Sequence, residues 1–435
     1  MAYSEVEEVK GEVGNFAIKV RKKARYVEED KCIGCGQCAE KCPTRVADEY
    51  NMGMGKRKAI YKYFPQGIPS VFTIDPLHCR TIQGKKCGIC KKVCEAKAIN
   101  FEQKDKVVDL NVGAIILAIG YEVFDPSVIE PYGYKRIPNV ITSIEFERLL
   151  SATGPTAGHL ERPSDMAMRD EIKSLERRIA GLKGTIKIFE ERYGKSTEEF
   201  YRQYKAGELG EEKDYKEWTK AHEIMPEVGK KLEELKSKEP AFHTAKSIAF
   251  VQCTGSRDLR FNFWCCTYGC MHSVKEAICA REHEPEMQST IFYMDLRAHG
   301  KGFEEYCVRG AREYGIQLVR ARVAEITKGE DSKPLVWYED RVTKKVERRP
   351  FDLVVLATAC VPSKGIEKLS QMIGFKLDEA GFVKTDPASH MDTMDTTVKG
   401  IFVCGCAQGP MDIPDSVSQA SAAASRAAEA IKQYG

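Results

Sequence analysis

The sequence predicts an α/β protein with more than one domain, and three observations support this prediction. Compact apolar runs that are typical of buried strands recur between helix-favouring segments, at residues 114–118, 247–253 and 351–359. The chain has 435 residues, whereas one hydrophobic core rarely grows past about 250 to 300 residues. Twelve of its seventeen cysteines fall into three groups, which favours bound metal over simple packing.

Charge and hydropathy argue against two classes of function, nucleic-acid binding and membrane spanning. The 67 basic and 64 acidic residues nearly cancel, so the sequence shows no broad positive surface for nucleic acid. No run approaches the roughly 18 apolar residues of a membrane-spanning helix, and the N-terminus lacks the character of a targeting segment. We therefore expect a cytoplasmic protein with no nucleic-acid partner and no direct membrane span. Because the cytosol keeps thiols reduced, disulfides do not explain the cysteines.

The first 28 residues alternate apolar and charged positions around Gly11 and Gly14, which predicts a strand hairpin at the start of the α/β body. Residues 29–104 carry the first two cysteine groups and form a separate predicted domain. Residues 105–164 return to the body, and their apolar run 114–118, closed by Gly120, predicts a buried strand.

Residues 165–240 form a predicted helical hairpin inserted in the body. Apolar residues recur there at spacings of three and four among charged residues, which is typical of a helix with a narrow apolar seam. A second helix-favouring stretch follows, interrupted near Gly207, Gly210 and Pro226. The hairpin is either a self-packed surface element or an arm that binds a partner. The seam consists of Ile172, Leu175, Ile179, Leu182, Ile186 and Phe189.

The body resumes over residues 241–435. After the strand 247–253, the pattern predicts a helix at 272–283, a strand at 290–296, a helix at 303–315 and a single strand at 316–326. A hairpin around 330–350 and the buried strand 351–359 follow. The last 36 residues predict a strand, a turn and an Ala-rich helix.

The first two cysteine groups have ferredoxin-like spacing. In bacterial ferredoxins, three closely spaced thiolates bind one [4Fe–4S] cluster and the fourth cysteine binds the neighbouring cluster. Glycines at 34 and 36 let the backbone curl around sulfur. One predicted cluster therefore has the ligands Cys32, Cys35, Cys38 and Cys94. The other has the ligands Cys79, Cys87, Cys90 and Cys42.

Two features of the second group depart from the usual pattern. Glu95 stands where a proline is usual, and seven residues rather than two follow Cys79. Zinc is the alternative metal, since CxxC pairs also occur in zinc ribbons, but eight cysteines without a ligating histidine favour clusters.

The third cysteine group lies where a strand meets the next helix. In a doubly wound dinucleotide-binding domain this position carries a GxGxxG loop, and the sequence CTGSRDLRFNFWCCTYGC has no such pattern. We predict an unusual [4Fe–4S] site in place of a nicotinamide site, with buried or redox-active free cysteines as the alternative. His272 is either a supporting donor or structural. The predicted ligands are Cys253, Cys265, Cys266 and Cys270.

The C-terminal segment GIFVCGCAQGPMDIPDSVSQASAAA suggests a flavin contact. In FAD enzymes with two dinucleotide domains, a strand, turn and helix here present backbone N–H groups to the flavin ring. Cys406 takes the place of the usual ribityl-binding Asp; the alternative is an ordinary core strand and helix. The predicted cofactor-binding residues are Gly120, Gly405, Cys406, Asp415, Ser416, Val417, Gln419 and Ala420. The scattered Cys279, Cys307 and Cys360 are expected to be small buried apolar residues.

Together these motifs resemble the A subunit of heterodisulfide reductase, an iron–sulfur flavoprotein. The resemblance rests on KCIGCGQCAEKCP, CGICKKVC, VGAIILAIGYEVFDP, PNVITSIEFERLLSATGPTAGHLERPSD, VQCTGSRD and the C-terminal segment. It implies a thioredoxin-reductase-like body of two dinucleotide domains, here incomplete, with FAD at its centre and an inserted ferredoxin domain. The family's N-terminal GxGxxG unit has no counterpart in this sequence, so we expect another chain to supply the ADP-binding half of the FAD site. The insert 165–240 is not part of the expected family pattern.

The resemblance implies an oxidoreductase subunit that relays electrons between FAD and [4Fe–4S] clusters. Flavin-based bifurcation would couple ferredoxin reduction to reduction of the heterodisulfide CoM-S-S-CoB. The implied partners are other reductase subunits and electron donors of the ferredoxin, hydrogenase or formate dehydrogenase type. The alternatives are an electron-input subunit of another redox complex and a flavin-free wiring or scaffold subunit. We expect no catalytic acid, base or nucleophile, because the redox chemistry belongs to the cofactors.

Overall fold

The computed structural model describes residues 2–210, 212–238, 245–341, 343–386 and 394–434. Strands β1 (Ser4–Glu12) and β2 (Asn15–Lys22) form the predicted antiparallel hairpin. Its exposed positions carry charged side chains, whereas Phe16 and Val20 point inward and are buried. The alternation of the sequence therefore matches the two faces of the hairpin.

Residues 29–104, called here the cysteine module, follow the hairpin. An antiparallel bridge between Val27 and Ile99 brings the two ends of the module together. Its small apolar core includes Ile60, Phe72 and Ile74. The elements are α1 (Gln37–Glu40), β3 (Arg45–Ala47), β4 (Lys56–Lys58), β5 (Ile60–Tyr61), β6 (Thr73–Ile74) and α2 (Ile89–Val93). Strands β3 and β4 pair with each other, as do β5 and β6.

Strand β7 (Lys106–Val112) pairs with β2, so the module is inserted between two neighbouring strands of one sheet. Strands β8 (Ile115–Leu117) and β9 (Tyr121–Val123) follow. The expectation that 114–118 forms a buried strand is wrong in part, because only Leu117 is buried there and Ile116 is 41% exposed. The strand belongs to a two-stranded sheet, and among the described residues nothing covers Ile116.

Strand β10 (Val140–Thr142) leads into α3 (Ser143–Leu150), whose N-terminus is closed by a capping box between Thr142 and Glu145. The inserted segment then contains three helices, α4 (Pro163–Tyr193), α5 (Thr197–Lys205) and α6 (Lys213–Ser237).

Four of the six seam residues of α4 are buried. The aromatic core of the insert stacks Phe200 on Trp218, with ring centroids 3.9 Å apart. Pro226 lies inside α6 and does not interrupt the second stretch. Because proline has no N–H, one carbonyl of the preceding turn loses its hydrogen-bond donor. Pro226 is exposed, so water can take the place of that donor. The predicted boundary at residues 240 and 241 lies outside the described residues. The four buried seam residues are Ile172, Leu175, Ile186 and Phe189.

The centre of the body is a five-stranded parallel sheet, which confirms the predicted α/β class. Its strand order is β10, β17, β11, β12, β13. Helices α7 (Gly269–His283) and α8 (Phe303–Glu313) make the crossovers. The strands not yet defined are β11 (Ser247–Thr254), β12 (Gln288–Tyr293), β13 (Gln317–Arg320) and β17 (Leu353–Thr358).

The predicted single strand at 316–326 is two strands. The chain turns at Ala321, leaves the parallel sheet after β13 and enters an antiparallel sheet as β14 (Val323–Lys328). Strands β15 (Pro334–Glu339) and β16 (Val346–Pro350) complete that sheet and form the predicted hairpin.

The C-terminal part contains β18 (Cys360–Pro362), α9 (Ile366–Ile373), β19 (Ile401–Val403) and α10 (Ile413–Tyr434). Strand β18 pairs antiparallel with β9, and β19 pairs parallel with β8. The strands β9 and β18 are thus the two connections between the five-stranded sheet and the β8–β19 pair. Within the described residues, no helix combines the length and apolarity needed to cross a membrane.

Candidate functional site

The eight thiols of the cysteine module line two separate spaces. The structure brings together each set of four that the spacing predicts, with the last cysteine of each group crossing to the other set. One space is lined by Cys42, Cys79, Cys87 and Cys90. The other is lined by Cys32, Cys35, Cys38 and Cys94.

Backbone geometry explains how short loops can present these thiols. Gly34 has φ +72°, and a Cβ there would lie 2.8 Å from the carbonyl oxygen of Ser70, so the first loop requires glycine. The long gap after Cys79 closes on itself, since the Gln83 N–H donates to the Cys79 carbonyl at 2.9 Å. The Gly88 N–H also donates to Thr81 Oγ1 at 3.0 Å. The extra residues therefore form a compact loop that returns the chain to the second set of thiols.

The thiols of the module are spread around each space rather than gathered at one point. Among the described residues, no three histidine, cysteine or carboxylate side chains converge on one ion position. Thiolates around a [4Fe–4S] cluster are spread over the faces of a larger body, which agrees with the two spaces. Burial raises the pKa of Cys38 to about 11 and that of Cys90 to about 12, so without metal these thiols keep their protons. A coordinated metal would displace those protons.

The third cysteine group lies at the carboxyl end of β11 and the start of α7. Cys253 has φ +59°, a strained conformation for a residue with a side chain. The Thr267 N–H donates to Cys265 Sγ at 3.3 Å. A hydrogen bond with Cys266 lowers the pKa of Cys265 to about 5 and raises that of Cys266. Burial raises the pKa of Cys270 to about 11, with smaller contributions from Cys253 and Cys265, so the four sulfurs lie close enough to affect one another.

Cations surround this group. Arg257 Nη1 lies 4.0 Å from Cys253 Sγ and also forms a two-pronged ion pair with Asp295. Both Arg257 and Arg297 contribute to lowering the pKa of Cys265. Four thiolates on an iron–sulfur cluster carry net negative charge, which these guanidinium groups would offset.

The predicted flavin segment and the loop that carries part of the third cysteine group face one cavity of about 830 Å³, although none of the four cysteines of that group lines it. Thr267, Tyr268 and Met271 form one wall of the cavity; Cys406 and the residues from Met411 to Ser416 form another. The lining is mostly apolar, and the basic side chains of Lys275, Arg297 and Lys301 stand along it beside His272 and His299. Burial lowers the pKa of His272 to about 4, so this imidazole is neutral near pH 7. Size and lining suit a planar aromatic group with an anionic edge.

The predicted flavin residues divide into two sets. The Gly405 N–H donates to Gln419 Oε1 at 2.9 Å, and Ser416 Oγ lies on the cavity, donating to the Asp412 carbonyl at 2.7 Å. Cys406 is half-buried on the same cavity. Gly405, Gln419 and the other predicted flavin residues do not line it. The Asp415 N–H donates to Asp412 Oδ1, Gly120 precedes the cavity residue Tyr121, and Val417 and Ala420 are exposed.

Sequence reasoning missed several cavity residues. Arg297, His299 and Lys301 follow the carboxyl end of β12, and ligands of open α/β sheets bind at carboxyl ends of strands. Their position after a parallel strand was the signal by which these three residues could have been identified. Tyr121 and Tyr268 gave no signal, because only the pairing of β9 with β18 brings Tyr121 next to Tyr268, at a ring centroid distance of 5.9 Å. Cys360 is buried, as the sequence predicts, but it also lies close to Cys406, which packs against the same buried cluster.

Comparison with known proteins agrees with these sites. Residues 25–47, which include the first cysteine group, match the family described as 4Fe-4S binding domain. The second iron-sulfur A subunit of CoB–CoM heterodisulfide reductase from Methanopyrus kandleri is 42% identical over 99% of this chain. The chain belongs to the heterodisulfide reductase A-subunit family.

Other members of the family show similar identity. The A subunit of ferredoxin:CoB-CoM heterodisulfide reductase from Methanosarcina acetivorans is 36% identical over 98% of this chain. The matches cover 53% of the Methanopyrus protein and 46% of the Methanosarcina protein, so the chain spans about half the length of these curated relatives. Thioredoxin reductase from Lactococcus lactis is a similar solved structure, with 22% identity, a TM-score of 0.30, and coverage of 43% of this chain and 54% of that chain.

Proposed function

We propose that this chain is an electron-transfer subunit of a heterodisulfide reductase-type complex, with three [4Fe–4S] clusters and one FAD. In this proposal the cysteine module holds two clusters and the third cysteine group holds the third. The flavin ring occupies the cavity between Tyr268 and Met411.

The observation that carries the proposal is the cavity of about 830 Å³, which the predicted flavin segment lines together with the loop beside the third cysteine group. The loop between Cys266 and Cys270 supplies predicted ligands to the third cluster, and its Thr267 and Tyr268 form the cavity wall. A cluster and an aromatic cofactor held by the same loop would be in direct contact range for electron transfer. The carboxyl ends of the parallel strands, where ligands of such sheets bind, support the same placement.

The chain's own residues would bind and tune these groups. Bound FAD would supply chemistry that exchanges electrons in pairs or singly. The N-terminus of α10 faces the cavity, and its dipole favours a negatively charged ring. Arg297 and Lys301 add positive charge on the other side, and the lining there is mostly apolar.

The partners follow from the names of the relatives. One relative, from Methanothermobacter thermautotrophicus, is named as the A subunit of an H(2):CoB-CoM heterodisulfide,ferredoxin reductase. We extend this to the present chain as a subunit that works with other reductase subunits. Ferredoxin, or a hydrogenase or formate dehydrogenase, would be the electron donor. In its most specific form, the proposal is that an electron pair is split between two cluster paths. One path leads toward ferredoxin and the other toward the heterodisulfide.

The test is anaerobic purification with native partners, followed by iron, sulfide and flavin analysis. About twelve irons and one flavin per chain are expected, since each cluster holds four irons. Eight irons would reject the third cluster. Iron without flavin would reject the FAD site and support a flavin-free wiring subunit.

A matched pair of variants tests where the flavin binds. Ser416→Phe fills the cavity, whereas Ser418→Phe places the same ring on an exposed position of the same helix. The first variant is expected to lose flavin and keep its iron, and the second to keep both. Equal flavin content in the two variants would contradict the placement.

A further inference from the structure

Two cysteines outside the predicted cluster ligands meet in the wall of the cavity. Cys360 is the first residue of β18 and is fully buried, whereas Cys406 lies in the turn after β19 and is half-buried. Cys406 packs against the buried cluster that contains Cys360, and the two thiols are close enough for each to shift the pKa of the other. That cluster also contains Cys266 and Phe382. Two thiols that are distant in the sequence are thus held close together by the fold.

The two thiols differ in access. Cys406 lines the cavity, and its sulfur lies 3.5 Å from the carbonyl oxygen of Met411. Cys360 lies behind it, and the Trp264 Nε1–H fixes the backbone of Cys360 by donating to its carbonyl oxygen at 2.9 Å. An accessible thiol with a second thiol behind it is the arrangement of a reactive cysteine and its resolving partner.

The pair also joins two parts of the fold. Cys360 lies opposite Val123 in the β9–β18 ladder, which connects the five-stranded sheet to the rest of the body. Cys406 belongs to the β8–β19 part, whose C-terminal helix forms the other side of the cavity. A bond between the two sulfurs would tie these parts together at the cavity wall.

We propose that Cys360 and Cys406 form a redox-active dithiol that closes to a disulfide by exchange with a small-molecule disulfide, which enters the cavity while it is free of flavin. The sulfur of Cys406 attacks one sulfur of the incoming disulfide, whose S–S bond breaks, and the first leaving thiol takes up the proton of Cys406. The sulfur of Cys360 then attacks Cys406 in the mixed disulfide, and the second leaving thiol takes up the proton of Cys360. Two electrons pass from the protein to the small disulfide, which ends as two thiols, so no other reactant is needed.

The test uses the full chain, purified anaerobically, in buffers of reduced and oxidised glutathione. After alkylation of free thiols, peptide mass spectrometry is expected to show a Cys360–Cys406 link that forms in oxidised glutathione and disappears in reduced glutathione. Absence of that link, with both thiols alkylated or with a stable glutathione adduct on Cys406 in the unaltered chain, would overturn the proposal.

Two variants report the separate steps, and a third is a control. Cys360→Ser is expected to accumulate a glutathione adduct on Cys406, whereas Cys406→Ser should label Cys360 at least about tenfold more slowly because Cys360 is buried. Cys279→Ser, on α7 outside the pair, should form the link as the unaltered chain does. Equal adduct formation in the first two variants would contradict the assigned roles.

The readout is independent of the proposed electron-transfer function. Iron and flavin analysis of the same samples tests the clusters and the FAD, whereas the peptide link tests only the two thiols. A chain that forms the link without flavin would leave the dithiol standing and reject the FAD site.

Discussion

The cysteine module and the α/β body both gather thiols, but they gather them over different distances in the sequence. In the module, eight cysteines lie within 63 consecutive residues, on loops around the four-residue helix α1 and the five-residue helix α2. In the body, the third cysteine group and the Cys360–Cys406 pair come from β11, α7 and the loop before it, β18 and the turn after β19. Local spacing therefore determines the module, whereas strand order determines the body.

This difference predicts how cluster loss should behave in the module. Cys94→Ser and Cys90→Ser change neighbouring cysteines of one group, yet they line different spaces. Each variant is expected to lose about four irons, and each should remove a different cluster signal in electron paramagnetic resonance of the reduced protein. Cys279→Ser, on α7, serves as the control and should keep all signals. Loss of the same signal in both variants would show that the thiols do not cross between sets.

The same experiment in the body tests whether a site assembled from distant elements also holds a cluster. Cys266→Ser removes a buried sulfur of the third group. We expect a loss of about four irons while both module signals persist. Cys307→Ser, at another buried cysteine on α8, should keep its iron. Unchanged iron in Cys266→Ser would instead indicate that the third group consists of free thiols.

The difference between thiols gathered locally and thiols gathered by the fold also explains how much of these sites could be predicted from the sequence. The two sets of four in the module could be assigned from spacing alone, because few residues separate the ligands. The contact of Cys360 with Cys406 could not, since it depends on where β18 and β19 lie in the fold. The exposed side of Ile116 was missed for a related reason: an apolar run indicates a strand but not what covers it.

Buried charge distinguishes the two regions in a second way. In the module, Asp75 accepts hydrogen bonds from Arg57 Nη2 at 2.9 Å and pairs with His78 Nδ1 at 2.8 Å. Burial alone would raise the pKa of Asp75, but these partners outweigh burial and lower it. Since the folded pKa is lowered, this carboxylate stabilises the fold above its unfolded pKa of about 3.9, and the stabilisation is lost as pH falls through the folded value.

Asp75→Asn is expected to destabilise the module by roughly 1 to 2 kcal/mol at pH 7, because the buried Arg57 loses one of its two carboxylate partners and keeps only Glu49. The measurement is anaerobic guanidinium unfolding followed by the visible absorbance of the clusters. Asp109→Asn, at an exposed position of β7, is the matched control and should change stability by less than about 0.5 kcal/mol. Similar midpoints for the two variants would show that the Arg57 pair adds little to the module.

The body contains a buried carboxyl whose effect on the pH dependence of stability is opposite to that of Asp75. Glu276 on α7 is almost fully buried, and neither carboxyl oxygen has a hydrogen-bond partner. His272 Nε2 is 3.4 Å away, and burial raises the pKa of Glu276 well above its usual value. The folded chain therefore holds a proton that the unfolded chain releases near pH 4.3, so stability falls as pH rises from there toward the folded pKa.

Glu276→Gln removes this pH-dependent loss and is expected to stabilise the body by about 1 to 2 kcal/mol at pH 8.5, with a smaller gain at pH 5.5. Anaerobic thermal unfolding, followed by tryptophan fluorescence at the two pH values, measures the difference. Glu282→Gln, at an exposed glutamate of the same helix, should show no such dependence on pH. A gain that is the same at both pH values would mean that Glu276 does not exchange its proton between folded and unfolded states, and that the contrast with Asp75 is one of packing rather than charge.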